Sequence, residues 1–206
     1  MKTIKAIDVK IGDIVEININ PKTYTVVVQG LGLLGLYGCA IARFRGAKHV
    51  IGLDAVAGRL KMAEKFGADH TIDISDLTAE QQIAAVREIC PPDGADVAIE
   101  VCGVPAAVPI GIKMLRVGGR YTIAGLVNPN ANMTLDGNEL LRRWITLKGI
   151  HNYHPRHLVE ALDFVMASRD QFPFGEIVDS KFSLEQLNEA FQRAGDNTVL
   201  RAAIVP

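Results

Sequence analysis

The sequence has no excess charge of either sign: 22 Lys and Arg stand against 23 Asp and Glu, for a formal net charge of -1, and basic residues do not cluster. Nucleic acid and anionic membranes are held by basic patches, so neither partner is indicated. Cysteine is scarce. Cys39, Cys90 and Cys102 lie far apart and form no C-x-x-C pair, which excludes a zinc knuckle and fits a reducing, cytoplasmic compartment. No repeat or low-complexity linker occurs, so neither a solenoid nor tethered modules are expected. The N-terminus alternates apolar and polar residues and carries acids early, unlike a targeting peptide. One uncharged run of 20 residues, 23–42, has the length of a membrane span. Its four glycines, Gln29 and β-branched opening suit a strand and a turn instead. At 206 residues the chain is long enough for one substantial domain, or one domain plus part of another.

Within that run Gly30, Gly32 and Gly35 fall on the spacing G-x-G-x-x-G. They follow a β-branched run over residues 24–29, suited to a buried parallel strand, and open a helical pattern over 33–45. Gly30 is expected to make the tight turn, Gly32 to let a pyrophosphate approach the backbone, and Gly35 to let the helix pack against the strand. The helix N-terminus then presents free N–H groups to the phosphates. Gly46 stops the helix, residues 49–53 form a second strand, and Asp54 stands where a carboxylate takes the ribose hydroxyls of an adenosine. A dinucleotide site is the reading that all four parts support. The S-adenosylmethionine-binding relative of this arrangement shares the turn and the acid and is the weaker alternative.

Residues 1–20 read as a β-ribbon turning near Gly12, which must dock on something because two strands alone are marginal. Helices are expected over 56–66, over 78–90 with a Thr78–Gln81 capping box, and over 105–117 with Pro109 bending the last early. Strands are expected at 70–74, 96–101 and, after a Gly118-Gly119 turn, 121–124. A short helix over 138–144 leads to a sixth strand at 145–148. The C-terminal part reads as a helix over 156–168, a strand over 176–182, a capping box at Ser183 and Gln186 opening a helix to 193, and a closing strand over 199–205. The ribbon is the nearest candidate to pair with that last strand. Alternating strands and helices at this pitch predict an α/β fold, a doubly wound parallel sheet of Rossmann type with a short N-terminal β-ribbon.

The blocks VVVQGLGLLGLYGCAIARFRGAKHVIGLD, RLKMAEKFGADHTID, ADVAIEVCG, LRVGGRYTIAGL, ITLKGI and FSLEQLNEAFQ resemble, in order, the coenzyme domain and C-terminal tail of medium-chain zinc-type alcohol dehydrogenases. The resemblance implies the strand order 3-2-1-4-5-6, with NAD(H) across the C-terminal strand ends. It places Gly30, Gly32, Leu33 and Leu34 along the pyrophosphate and the rear of the nicotinamide, Asp54 on the adenosine ribose and Arg59 beside the adenine. Val101, Cys102 and Gly103 would border the adenosine side and the middle of the cofactor, and Gly125 and Leu126 would offer backbone groups to its carboxamide end, near residues 149–152. It also implies a homodimer joined through the sixth strand. The expected division is 1–21 as ribbon, 22–153 as the NAD(H)-binding domain and 154–206 as helices and strands completing the fold. Members of that family hold a catalytic zinc in a GroES-like domain, and its ligand pattern is absent from this sequence.

The function implied is an NAD(H)-binding oxidoreductase that moves a hydride between a small alcohol or carbonyl substrate and the nicotinamide, here lacking the zinc-binding half. A non-catalytic dinucleotide module, a redox sensor or a truncated fragment is the alternative. Asp54, with no arginine directly after it, predicts NAD(H) over NADP(H). His151, His154 and His157 form H-x-x-H-x-x-H, but Pro155 keeps them from sharing a helix face, so surface or pocket-rim roles are favoured over a metal site. Cys102 is read as packing rather than as a nucleophile, and Tyr121 and Tyr153 as packing rather than proton donors.

Overall fold

The computed structural model describes residues 24–206, so the expected ribbon at 1–20 lies outside the described residues. Six parallel strands form the main sheet: β1 (Thr25–Gln29), β2 (His49–Asp54), β3 (His70–Asp73), β4 (Ala95–Glu100), β5 (Leu115–Ile123) and β6 (Thr146–Gly149). Their order is β3-β2-β1-β4-β5-β6, as expected. All five residues of β1 are buried because helices cover both faces of the sheet. Val26 and Val28 point into one core with Leu36, Phe66 and Phe164, while Val27 points into the other with Val86, Val108 and Ile112. β1 pairs in parallel with β2 on one side and β4 on the other, so the topological switch point falls between β1 and β4.

The helices begin and end for local reasons. α1 (Leu33–Phe44) starts from Gly32 with no side-chain cap. α2 spans Ala57–Lys65, and α3 (Ala79–Ile89) carries the expected capping box. Its Gln81 N–H donates to Thr78 Oγ1 at 3.3 Å and the Thr78 N–H donates to Gln81 Oε1 at 2.8 Å. Three expectations are corrected. α4 (Ala107–Met114) stops short of 117, because Leu115 already pairs with Ala95, and the Gly118-Gly119 stretch is an irregularity inside β5. Pro109 occupies the third helical position, where its missing N–H has no intrahelical partner in any case. The strand expected over 176–182 shrinks to β7 (Ser180–Phe182), preceded by a 3-10 turn at Phe174–Ile177.

α5 (Gly137–Arg142) is capped by the Asp136 carboxylate and leads into β6 at the sheet edge. α6 (Arg156–Ser168) and the turn after it rejoin the main core. There Phe164, Phe172 and Phe174 pack on one another and reach Phe44, Phe66 and Tyr37 of the first two helices. α7 (Leu187–Gly195) and β8 (Ala202–Ile204) complete a small unit around Phe182, Ala190 and Val199. β8 pairs in parallel with β7, its partner among the described residues; the ribbon expected beside it lies outside them. No helix among the described residues is long and apolar enough to cross a membrane.

Candidate cofactor crevice

The three glycines of the turn are required for different reasons. Gly30 sits at φ +93°, donates its N–H to the Leu53 carbonyl at 2.8 Å, and has the backbone of Cys102 so close that a Cβ would meet Cys102 Cβ at 2.6 Å. A Cβ on Gly35 would overlap the carbonyl of Gly30, so this residue sets how closely α1 approaches the turn. Gly32 differs: its chain neighbours aside, nothing among the described residues lies within 4 Å of where its Cβ would be. No packing need within the described chain explains its missing side chain, and the open space lies at the N-terminus of α1. That terminus has neither a capping side chain nor an acid in its first turn, which leaves N–H groups and a positive dipole end for an anion. Leu33 packs partly against the core, whereas Leu34 is exposed and lines the adjoining cavity.

Asp54 is buried at the end of β2 and locks the turn from the other side. Its Oδ2 accepts the Leu31 N–H at 2.6 Å and its Oδ1 accepts the Val56 N–H at 2.9 Å. Each oxygen of a carboxylate has a second lone pair, so both remain able to accept a ribose hydroxyl. Arg59, five residues on in α2, brings Nη1 to 3.7 Å from Asp54 Oδ2, while its Nη2 donates to Asn197 Oδ1 at 2.6 Å. A cation therefore stands at the acid although none follows it directly in sequence. Asn197 comes from the loop after α7 and is a contact that sequence reasoning missed.

Glu100 was missed as well. It is fully buried at the end of β4, where Oε1 accepts the Gly103 N–H at 2.6 Å and Oε2 accepts the Gly125 N–H at 3.0 Å. One carboxylate thus ties together the loops after β4 and β5, both of which border the crevice. A Cβ on Gly125 would overlap Glu100, and Gly103 takes φ +74°. The N–H of Gly125 is committed within the protein, whereas its carbonyl, which accepts from Val127 at 2.8 Å, keeps a second lone pair. Leu126 packs partly against the second core. Val101 continues the ladder by donating to the Gln29 carbonyl at 3.0 Å and lines the cavity. Cys102 reaches the surface in part, yet burial pushes its thiol up to about 11, with Glu100 adding to the shift. A thiol raised in this way is not an activated nucleophile, but its exposure does not fit the packing role expected from the sequence.

Beyond Leu34 the crevice opens into a cavity of about 320 Å³ walled by Val101, Ala124, Val127, Ile150, His151, Asn152 and Tyr153. The three histidines do not converge. His151 lines this cavity, His154 accepts the Arg156 N–H at 3.3 Å, and His157 is buried with Nδ1 3.4 Å from Glu160. Among the described residues no three His, Cys, Asp or Glu side chains gather as a metal site. Tyr121 is buried and donates to Gln29 Oε1 at 2.5 Å, and burial raises its hydroxyl well above the usual range, so it is structural. Tyr153 is exposed on the cavity rim.

A doubly wound sheet in this order, with a glycine turn at its switch point and an acid at the end of β2, defines a Rossmann-type nucleotide-binding domain. Residues 34–167 match the family of zinc-binding dehydrogenases, and the chain belongs to that family. It is 29% identical over 180 residues to the 5-exo-hydroxycamphor dehydrogenase of Pseudomonas putida, covering 87% of this chain and 50% of that protein. Against the L-threonine 3-dehydrogenase of Vibrio cholerae it is 28% identical over 168 residues, covering 81% and 46%. The crystal structure of an alcohol dehydrogenase from Thermotoga maritima superposes with a TM-score of 0.81 at 31% identity, covering 89% of this chain and 50% of that one. The chain spans about half the length of the relatives it matches.

Proposed function

We propose that the crevice binds NAD(H) and that the chain is the cofactor-binding half of an oxidoreductase interconverting a small alcohol and its carbonyl. The observation that carries this reading is the open space at Gly32 between an uncapped helix N-terminus and the twice-anchored carboxylate of Asp54. The residues present fit a dinucleotide. The first-turn N–H groups of α1 would face the pyrophosphate, Asp54 would accept from the adenosine ribose with Arg59 alongside, and Leu34 would back the nicotinamide. Gly125 and Leu126 would meet the carboxamide end, on loops held by Glu100. The bound nicotinamide would supply the hydride chemistry; the chain would orient it and exclude water from one face.

Asp54 repels a 2′-phosphate and Arg59 offsets part of that repulsion, so NAD(H) is expected to bind about tenfold or more tighter than NADP(H), or at least about 1.4 kcal/mol. Calorimetric titration with both cofactors tests this, and tighter NADPH binding would remove Asp54 from the ribose. A non-catalytic dinucleotide module is the second reading, favoured because the described residues offer no cluster of metal ligands. Three unpaired cysteines support a cytoplasmic setting. The place of β6 at the sheet edge among the described residues supports a homodimer.

A further inference from the structure

The loop after α7 reaches back to the end of the crevice where Asp54 lies. Asn197 Oδ1 accepts from Arg59 Nη2 at 2.6 Å, while Arg59 Nη1 stands 3.7 Å from Asp54 Oδ2. The second distance is within ion-pair reach but too long for a hydrogen bond. The guanidinium is therefore steered by an amide 138 residues away in sequence rather than by the carboxylate beside it. We propose that Asn197 is a positioning residue that sets the choice between NAD(H) and NADP(H) by restraining Arg59. This rests on the reading of the crevice as a dinucleotide site.

The loop presents Asn197 in a fixed place. Its backbone takes φ +55°, a left-handed conformation that asparagine adopts more readily than most residues. Its N–H donates to the Ala194 carbonyl at 3.3 Å. On the other side Thr198 gives both its N–H, at 3.0 Å, and its hydroxyl, at 3.1 Å, to the Arg193 carbonyl. Val199 is then buried with Phe182 and Ala190. An acceptor anchored on both sides can hold a long, otherwise mobile side chain. What it withholds is the grip that arginine makes on phosphate, two parallel hydrogen bonds from one fork. Here both Nη groups are turned to protein acceptors, so the end-on fork is already engaged and the charge of Arg59 offsets Asp54 instead. Release of Nη2 would let the same guanidinium turn to a 2′-phosphate. The bond to Asn197 is exposed, so the effect on selectivity is modest in size.

The test is calorimetric titration of the full 206-residue chain with NADH and with NADPH, read as the ratio of their dissociation constants. Asn197→Gly removes the acceptor and keeps the left-handed backbone free of strain. It is expected to narrow the preference for NADH about fivefold. Asn197→Asp keeps an acceptor for Arg59 and is expected to hold the ratio at or above that of the parent. In an Arg59→Ala background Asn197→Gly is expected to leave the ratio unchanged, because the two residues act as one unit. If parent and Asn197→Gly bind NADH with the same ratio to NADPH, or with equal losses for both cofactors, the positioning role is overturned and the cofactor reading stands. A narrowing as large in Asn197→Asp, or one that persists without Arg59, would overturn it too. A parent that binds neither nucleotide would overturn the proposal and the cofactor reading together.

Discussion

Glu100 holds Gly125 through a hydrogen bond of 3.0 Å from the glycine N–H to a carboxylate that no solvent reaches. The other oxygen of the same group holds Gly103 at 2.6 Å. The two loops that border the crevice are therefore fixed to each other by one side chain rather than by packing alone. In Glu100→Gln the amide NH2 would face one of these N–H donors, leaving buried groups unpaired. A loss of about 1–3 kcal/mol in urea unfolding is expected, together with weaker NADH binding. A variant as stable as the parent would show that the loops do not need the bridge.

Gly32 and Gly35 should separate binding from folding. Gly32 has φ -67°, a conformation open to any residue, and empty space where a Cβ would go. Gly32→Ala is expected to leave unfolding within about 0.5 kcal/mol of the parent and to weaken NADH binding at least about tenfold, or 1.4 kcal/mol. Gly35→Ala drives a Cβ into the Gly30 carbonyl and should destabilise the chain by about 3 kcal/mol or more. Equal effects on stability from the two substitutions would remove the argument that the space at Gly32 belongs to a ligand.

What was legible in the sequence was mostly local. The turn, the second-strand acid and the Thr78–Gln81 box each lie within a few residues of their partners or at a fixed spacing from them, and the structure places them so. The early start of β5 was not legible, because Gly118-Gly119 reads as a turn while the pairing of Leu115 with Ala95 is made by a distant strand. Glu100 reads only as an acid ending an apolar strand; one of its partners is 25 residues away. Arg59 meets Asn197 across 138 residues, a contact no local pattern encodes.

Cys102 should be slow to alkylate. Burial raises its thiol to about 11, so at pH 7.5 the neutral form dominates and modification should run at least about a hundredfold slower than for a free thiol. The rate should climb about tenfold per pH unit up to pH 10. Mass spectrometry of iodoacetamide-treated protein checks this, and rapid labelling at neutral pH would restore Cys102 as a candidate nucleophile.

Among the described residues β6 is an edge strand of the six-stranded sheet, and the exposed Leu141 and Trp144 lie just before it. An edge strand beside exposed apolar side chains is suited to pairing with a second copy. Light scattering at micromolar concentration is expected to give a dimer that Thr146→Pro or Leu141→Glu dissociates. A monomeric parent, or a dimer indifferent to both substitutions, would place the self-association elsewhere or remove it.

The 206-residue chain on its own is expected to bind NADH yet turn over alcohols poorly or not at all. Binding draws on groups present between Gly30 and Leu126: the helix N-terminus, Asp54 with Arg59, and the loops joined by Glu100. Turnover needs a group that lowers the alcohol's pKa, a wall that presses the reacting carbon against the nicotinamide, and a cleft that sheds water. Among the described residues no ligand set for a metal is assembled, and the polar side chains at the mouth of the cavity are His151, Asn152 and the exposed Tyr153. Lacking electrostatic stabilisation of the developing alkoxide should raise the barrier by several kcal/mol, at least about a thousandfold in rate. NADH formation by the purified, zinc-supplemented chain across a panel of primary and secondary alcohols decides the matter. Robust turnover that a chelator abolishes would overturn the expectation and direct attention to His151, His154 and His157. Turnover that survives chelation would overturn it differently, with Tyr153→Phe the first variant to make.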